Sequence, residues 1–177
     1  MRTPRRLWLR SAVALWASSA ACVHPSEGEP QLPEEAATEA DWNDGAIGWV
    51  AYGEGIARGK VERQPIVLVF YTDWCPHCHN YSRVFHDPEV VRLARGFVMI
   101  RVERDANREL SEMYDLDGEY IPRTFFLTSA GEVRTELHGS SPEFRYFLDE
   151  HDPRELITIM RRAMAPVQAR GGASASD

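Results

Sequence analysis

The chain has 177 residues, with 20 Lys+Arg against 27 Asp+Glu, 44% hydrophobic residues and three cysteines. That length holds one ordinary domain with a real core rather than two. A net charge of −7 gives no general pull toward nucleic acid or anionic lipid, no apolar run reaches the ~18–20 residues of a mature membrane span, and three cysteines are too few for a disulfide-stapled scaffold.

Arg2, Arg5, Arg6 and Arg10 form a basic start, followed by an uncharged run from Ser11 to Ala21 that ends in the small residues Ser19-Ala20-Ala21. Residues 1–21 therefore read as a secretory signal peptide. Small residues followed by Cys22 resemble the bacterial lipobox, whose cysteine is diacylated and becomes the new N-terminus. Ordinary cleavage after Ala21, leaving Cys22 unlipidated, is the alternative. Arg5-Arg6-Leu7-Trp8-Leu9-Arg10 also resembles a twin-arginine export signal. Removing residues 1–21 takes four Arg and no acid, leaving 16 basic against 27 acidic residues, a net charge of −11. Residues 22–41 then read as a lipidated Cys and a disordered tether, because Val23 to Asp41 carries Pro25, Pro30, Pro33 and five Glu with little apolar bulk. The expected location is the periplasm, held to a membrane through the lipid anchor only.

The folded domain is expected over residues 42–167, with a Gly/Ala/Ser-rich disordered tail at 168–177. Ile47, Val50, Ala51 and Ile56 have helical spacing, ending at Arg58-Gly59, with Trp42 and Trp49 packing this first helix. Pro65 introduces Ile66-Val67-Leu68-Val69-Phe70-Tyr71, a continuous β-branched and aromatic run that reads as a strand buried on both faces. Trp74-Cys75-Pro76-His77-Cys78 follows at once and leads into an amphipathic stretch ending at Phe85. Asp87-Pro88-Glu89 supplies an N-cap, a Pro at the first helical position and an acid in the first turn, opening a helix to Arg95. Phe97 to Val102 is a second buried strand, and Asn107 to Tyr114 is helical. Arg123 to Thr128 and Glu132 to His138 read as two strands of a hairpin turning at Ser129-Ala130-Gly131. Phe144, Tyr146 and Phe147 are placed against that hairpin. Asp152-Pro153-Arg154-Glu155 starts the last helix, whose apolar set is Leu156, Ile157, Ile159 and Met160. This order predicts an α/β fold: a central mixed sheet with helices on both faces.

Cys75 and Cys78 stand where a buried strand ends and a helix begins, and three-residue spacing puts both sulfurs on one side of the first turn. That spacing meets the close approach a disulfide needs. Unpaired N–H groups at a helix start favour an anion at Cys75. Pro76 fits the first helical position, and a protonated His77 adds positive charge beside the thiolate. The layout is that of a dithiol that exchanges disulfides.

These features resemble the thioredoxin superfamily: the strand Ile66–Tyr71, the Trp74-Cys75-Pro76-His77-Cys78 motif, and Tyr120-Ile121-Pro122-Arg123-Thr124 ahead of the hairpin. Cys-Pro-His-Cys is also the active-site sequence of DsbA-type periplasmic oxidants. The stretch from Gly118-Glu119-Tyr120-Ile121-Pro122-Arg123 to Phe144-Arg145-Tyr146-Phe147 is similar to the small anterior-gradient-type thioredoxin-like proteins. The resemblance implies a thioredoxin fold and a thiol–disulfide oxidoreductase that needs no cofactor or metal. It implies Cys75 and Cys78 as catalytic residues, Pro76 and His77 as tuning the thiolate, and Trp74, Ile121 and Pro122 as the substrate surface, with Pro122 preceded by a cis bond. Protein thiols or disulfides are the implied partners, with a membrane or soluble redox partner, and the pair is expected to lean oxidising. Val69 stands where many thioredoxins bury an acid that moves the proton of the second cysteine.

Other readings compete. Cys75-Pro76-His77-Cys78-His79 satisfies a c-type haem attachment motif, with Met99 or Met113 as a sixth ligand. Structural zinc through Cys75, Cys78 and two histidines lacks a second Cys pair. A thioredoxin-fold binding module whose disulfide never turns over is the third alternative. His79, His86, His138 and His151 are read as surface residues.

Overall fold

The structure, a computed structural model, describes residues 39–165. The signal peptide, Cys22, most of the expected tether and the 168–177 tail lie outside the described residues.

The elements, in chain order, are β1 (Trp49–Val50), α1 (Tyr52–Glu62), β2 (Ile66–Tyr71), α2 (Pro76–Ser82), α3 (Pro88–Ala94), β3 (Val98–Glu103), α4 (Arg108–Glu112), β4 (Arg123–Leu127) and α5 (Arg154–Met164). Short 3-10 turns at Arg83–His86 and Asp105–Asn107 follow α2 and precede α4. The four strands form one sheet in the order β1-β3-β2-β4. β1 and β2 both run parallel to β3, with Ile66 opposite Val98 and Tyr71 opposite Glu103. β4 runs antiparallel to β2, with Ile66 opposite Leu127 and Phe70 opposite Arg123. This is the mixed sheet the element order predicts.

The two-residue period of the strands divides the core. Val67 and Val69 of β2, Met99 of β3 and Phe126 of β4 face one side, where they pack with Tyr81, Phe85, Leu93, Ile159 and both active-motif cysteines. Ile66, Leu68 and Phe70, with Ile100, Phe125 and Tyr146, form the opposite face. α2, α3 and α5 cover the first face; Tyr52 and Ile56 of α1 and Leu110 of α4 contribute to the second. The uninterrupted apolar run of β2 follows from this burial on both sides.

The helix starts follow local chemistry. Asp87 Oδ1 accepts from the amides of Glu89 (2.8 Å) and Val90 (3.2 Å), with Pro88 at the first helical position. At α5 the expected cap is redistributed. Asp152 Oδ1 accepts only from the Arg154 amide at 2.9 Å, while the Glu155 carboxylate accepts from the amides of Ser140 (2.7 Å) and Asp149 (2.8 Å). Glu155 thus organises the long segment before α5.

Three sequence expectations need correction. The first helix does not begin near Ile47: Trp49–Val50 pairs with Met99–Ile100 as an edge strand, and α1 begins at Tyr52. Two glycines let α1 pack closely on the sheet, since a Cβ at Gly55 would lie 2.3 Å from Ile100 Cγ1 and one at Gly59 would lie 2.7 Å from Ile66 Cδ1. Trp42 and Trp49 do not pack that helix. They cluster with Phe85, and Trp42 also meets Tyr71 and Tyr81, on the α2 side of the sheet.

The second hairpin strand also shrinks, to a single bridge between Leu127 and Val133. The Arg134 guanidinium turns away to donate to the Ala163 carbonyl at 2.9 Å and to Glu136 at 2.9 Å, and the chain closes a turn from Arg134 to Leu137. The remaining edge of β4 is covered from further on: the Thr124 amide donates to the Tyr146 carbonyl at 2.8 Å, and Tyr146 stacks on Phe125 with ring centroids 4.4 Å apart.

Candidate active site

β2 delivers the chain to the C-terminal edge of the parallel strands, and Thr72–Trp74 turn it into α2. Cys75 is the N-cap of that helix: its sulfur accepts from the Cys78 amide at 3.3 Å, and Pro76 occupies the first turn without needing a hydrogen bond of its own. The geometry expected from Cys-Pro-His-Cys is therefore present. Cys75 is 3% exposed and Cys78 is 0% exposed, and the two stand as free thiols.

The two sulfurs have different surroundings. Burial pushes the Cys78 thiol well above the ordinary thiol range. Hydrogen bonding with Cys75 and the negative charge of Glu150 push in the same direction, against a backbone hydrogen bond from Thr72. The Cys75 Sγ lies 3.9 Å from the Ile121 carbonyl oxygen. The Ile121–Pro122 peptide bond is cis. A segment 46 residues away in sequence is thus brought against the first cysteine.

Behind the pair, Tyr81 of α2 and Thr124 of β4 share a buried hydrogen bond of 2.9 Å. Next to Pro122, Arg123 is fully buried. Its guanidinium donates to the carbonyls of Tyr114 and Gly118, each at 3.1 Å, and to Ser111 Oγ, and it lies over the Phe70 ring at 5.1 Å. Desolvation draws its pKa down, opposed by Asp115, Tyr120 and Glu119. Arg123 therefore ties the cis-Pro segment to the 111–118 loop.

Trp74 is 60% exposed beside the motif. Its indole N–H donates to Asp105 Oδ2 at 2.8 Å, and the Arg104 guanidinium sits 5.9 Å from its ring. On the other side of the motif stands an aromatic group: Phe147 meets the His77 ring at 5.7 Å, and Tyr120 meets Phe144 at 5.0 Å and Phe147 at 6.4 Å. Asp117 holds this group in place, accepting from the Tyr120 hydroxyl and from the Arg145 amide at 2.7 Å each.

His77 points at an acid that sequence reasoning did not single out. Its Nδ1 lies 2.8 Å from Glu150 Oε2, and a carboxylate can only accept, so Nδ1 carries the proton. Asn80 Nδ2 donates to Glu150 Oε1 at 3.2 Å, and His151 Nε2 lies 3.1 Å from the same oxygen. No motif flags Glu150, because its partners His77 and Asn80 are 73 and 70 residues away in sequence.

A matching family model, described as thioredoxin-like, covers residues 48–129, which span the cysteine motif and the cis-Pro122 segment. The protein carries a thioredoxin-like domain. Among curated proteins, the chain is 28% identical to the anterior gradient protein 2 homolog of Mus musculus, over 82% of this chain and 81% of that protein. It is 30% identical to anterior gradient protein 1 of Xenopus laevis, over 69% of this chain and 66% of that protein. A thioredoxin from Thermus thermophilus has the same fold with a TM-score of 0.54 at 24% identity, covering 68% of this chain and 88% of that one. A disulphide isomerase from Xylella fastidiosa Temecula1 gives a TM-score of 0.50 at 21% identity, over 76% and 98% of the two chains.

The residues of this thioredoxin-like domain do not fit a covalent haem. Both cysteine sulfurs are packed in the core, Met99 is buried within the sheet, and His79 Nε2 donates to the Asp73 carbonyl at 2.6 Å. Among the described residues no group of three or more His, Cys, Asp or Glu is arranged to hold a metal ion.

Proposed function

We propose that the protein is an exported thiol–disulfide oxidoreductase acting on protein thiols or disulfides through Cys75 and Cys78. The observation that carries this reading is the juxtaposition of the Cys75 sulfur, capping α2, with the Ile121 carbonyl beside cis-Pro122. A peptide lying along the partly exposed Ile121 places its own sulfur next to Cys75. Trp74 on one side, with Phe144 and Phe147 on the other, offers apolar surface for the flanking residues.

In the reducing direction the Cys75 thiolate attacks one sulfur of a substrate disulfide. A Cys75–substrate bond forms, the substrate S–S bond breaks, and the departing sulfur leaves with the electron pair and takes a proton. Cys78 then attacks Cys75 and releases the second substrate thiol. In the oxidising direction the same bonds form and break in reverse. His77 supports a negative charge on the Cys75 side of the turn, and Glu150 partly offsets that contribution. The pair leans oxidising on this account, and a membrane or soluble redox partner returns it to the disulfide.

The first 21 residues act as the export signal, and acylated Cys22 holds the domain at a membrane in the periplasm. Growth with labelled fatty acid should tag the protein, and Cys22→Ser should abolish the tag. Catalysis is tested by refolding of a reduced, disulfide-containing substrate and by insulin reduction. The wild-type chain should accelerate at least one of these, and Cys75→Ser should remove the effect. Equal rates with and without the wild-type protein would refute the reading.

A further inference from the structure

The segment 139–147, which follows the shortened return strand, builds an aromatic shelf beside the cis-Pro122 segment. Tyr120 directly precedes Ile121, whose carbonyl lies 3.9 Å from Cys75 Sγ, so its side chain stands one residue from the point at which a substrate meets that sulfur. Phe144 lies 5.0 Å from the Tyr120 ring and Phe147 6.4 Å from it, and Phe144 is 48% exposed. Hydrogen bonds fix the shelf before any ligand arrives. The Tyr146 amide donates to the Tyr120 hydroxyl at 3.0 Å, and that hydroxyl donates to Asp117 at 2.7 Å. The Arg145 amide donates to the other Asp117 oxygen at 2.7 Å, and the Phe144 amide to Ser141 Oγ at 3.1 Å. The charges along the shelf have one sign. Glu119 precedes Tyr120 and Glu143 precedes Phe144; both are exposed, and neither carboxylate has a hydrogen-bond or ion-pair partner among the described residues. Glu150 is taken up by His77 and Asn80. Arg145, the basic residue of the segment, is turned onto Tyr146, with its guanidinium 3.4 Å from the hydroxyl and 5.6 Å from the ring centroid. An exposed ring face attracts a cation. Arginine suits rings flanked by acids best, since its planar guanidinium stacks on a ring while its N–H groups reach a carboxylate.

We propose that Tyr120 and Phe144, with Glu119 and Glu143, form a subsite for an arginine side chain close to the reacting cysteine of a substrate protein, so that cysteines with a basic neighbour are preferred. This rests on the thiol–disulfide reading above and names the substrate class of that same site.

The test is stopped-flow release of thionitrobenzoate from peptides whose single cysteine is held as a mixed disulfide with it. The reduced full chain is used in a Cys22→Ser background, so that only Cys75 and Cys78 are present. The Cys75 thiolate attacks the peptide sulfur. The Cys75–peptide bond forms, the peptide–thionitrobenzoate bond breaks, and thionitrobenzoate, the better leaving group, departs with the electron pair. Peptides carry Arg, Gln or Phe two residues before or two residues after the cysteine, or Arg at the far end. At least one peptide with a near Arg should react about tenfold faster than its Gln counterpart, and faster than its Phe counterpart, while a distant Arg brings no gain. Phe144→Ala, which leaves the charge unchanged, and the pair Glu119→Gln with Glu143→Gln should each cut the advantage to within about twofold. An advantage that a distant Arg matches, or that survives Phe144→Ala, belongs to the overall negative charge and overturns the subsite. Phe peptides that react fastest, or equal rates across the set, also overturn it. A wild-type chain that attacks none of the peptides overturns the thiol–disulfide reading itself.

Discussion

Glu150 Oε2 stands 2.8 Å from His77 Nδ1, joining the segment that leads into α5 to the residue between the two cysteines. The helix carrying the motif is thereby held from both ends of the domain's sequence: by β2, which delivers it, and by the last loop, which clasps it.

Burial holds the Cys78 thiol in its protonated form in the folded chain. At neutral pH iodoacetamide should therefore modify Cys75 first, and Cys78→Ser should trap mixed disulfides through Cys75. Preferential trapping by Cys75→Ser would reverse the two roles.

The same shift has a pH-dependent effect on stability. The folded pKa is raised above the unfolded value, so the unfolded state loses its proton first as pH rises, and the stabilisation is complete below the unfolded thiol pKa of about 8.5 and falls away above it. Buried Tyr81 and Tyr114 are raised in the same way and act at higher pH. The reduced protein should lose thermal stability in alkaline solution, and Cys78→Ala should remove the part that begins in the thiol range. Thermal melts of the two reduced chains, compared from about pH 7 to pH 10, provide the check. Parallel curves would contradict it.

Two glycines of α1 should respond to alanine with opposite signs. Gly53 has nothing within 4 Å of a built Cβ, so Gly53→Ala should stabilise by about 0.4–1 kcal/mol through the unfolded chain. At Gly55 the new methyl would strike Ile100 at 2.3 Å, and Gly55→Ala should cost about 1–3 kcal/mol. Urea denaturation midpoints measure both.

Arg123→Met should destabilise the domain by about 2 kcal/mol or more, since it strips a buried donor from the carbonyls of Tyr114 and Gly118. It should also weaken disulfide exchange beyond the loss of folded protein, because Arg123 anchors the segment whose Ile121 carbonyl lies 3.9 Å from Cys75 Sγ. Exchange rates at a denaturant-free temperature well below the melt separate the two effects. Unimpaired exchange per folded molecule would show that Arg123 serves stability alone.

Features set by local chemistry were legible in the sequence. The apolar run Ile66–Tyr71, the Asp87-Pro88 helix start and the Cys75 N-cap all depend on residues within a few positions of one another, and the structure has each of them. The return strand expected at Glu132–His138 is cut to a single bridge at Leu127–Val133: the Arg134 amide still donates to the Phe126 carbonyl at 2.8 Å, but the chain then closes a turn from Arg134 to Leu137 and leaves the sheet. β1 is two residues long and owes its existence to β3, so no periodicity announces it. Glu150 was missed for the same reason: an acid 73 residues from His77 acquires meaning only when the chain is folded. Arg123 stood in the quoted Tyr120–Thr124 motif, but its burial and its carbonyl acceptors at Tyr114 and Gly118 carry no sequence signal.

The measurement that bears most directly on the account is a glutathione redox titration of the Cys75–Cys78 pair. A reversible two-electron couple with a potential above roughly −200 mV is the predicted result, on the protein disulfide isomerase side of thioredoxin's approximately −270 mV. A value near thioredoxin's would contradict the oxidising lean, and a pair that forms no reversible disulfide in any glutathione buffer would contradict the proposed function as a whole.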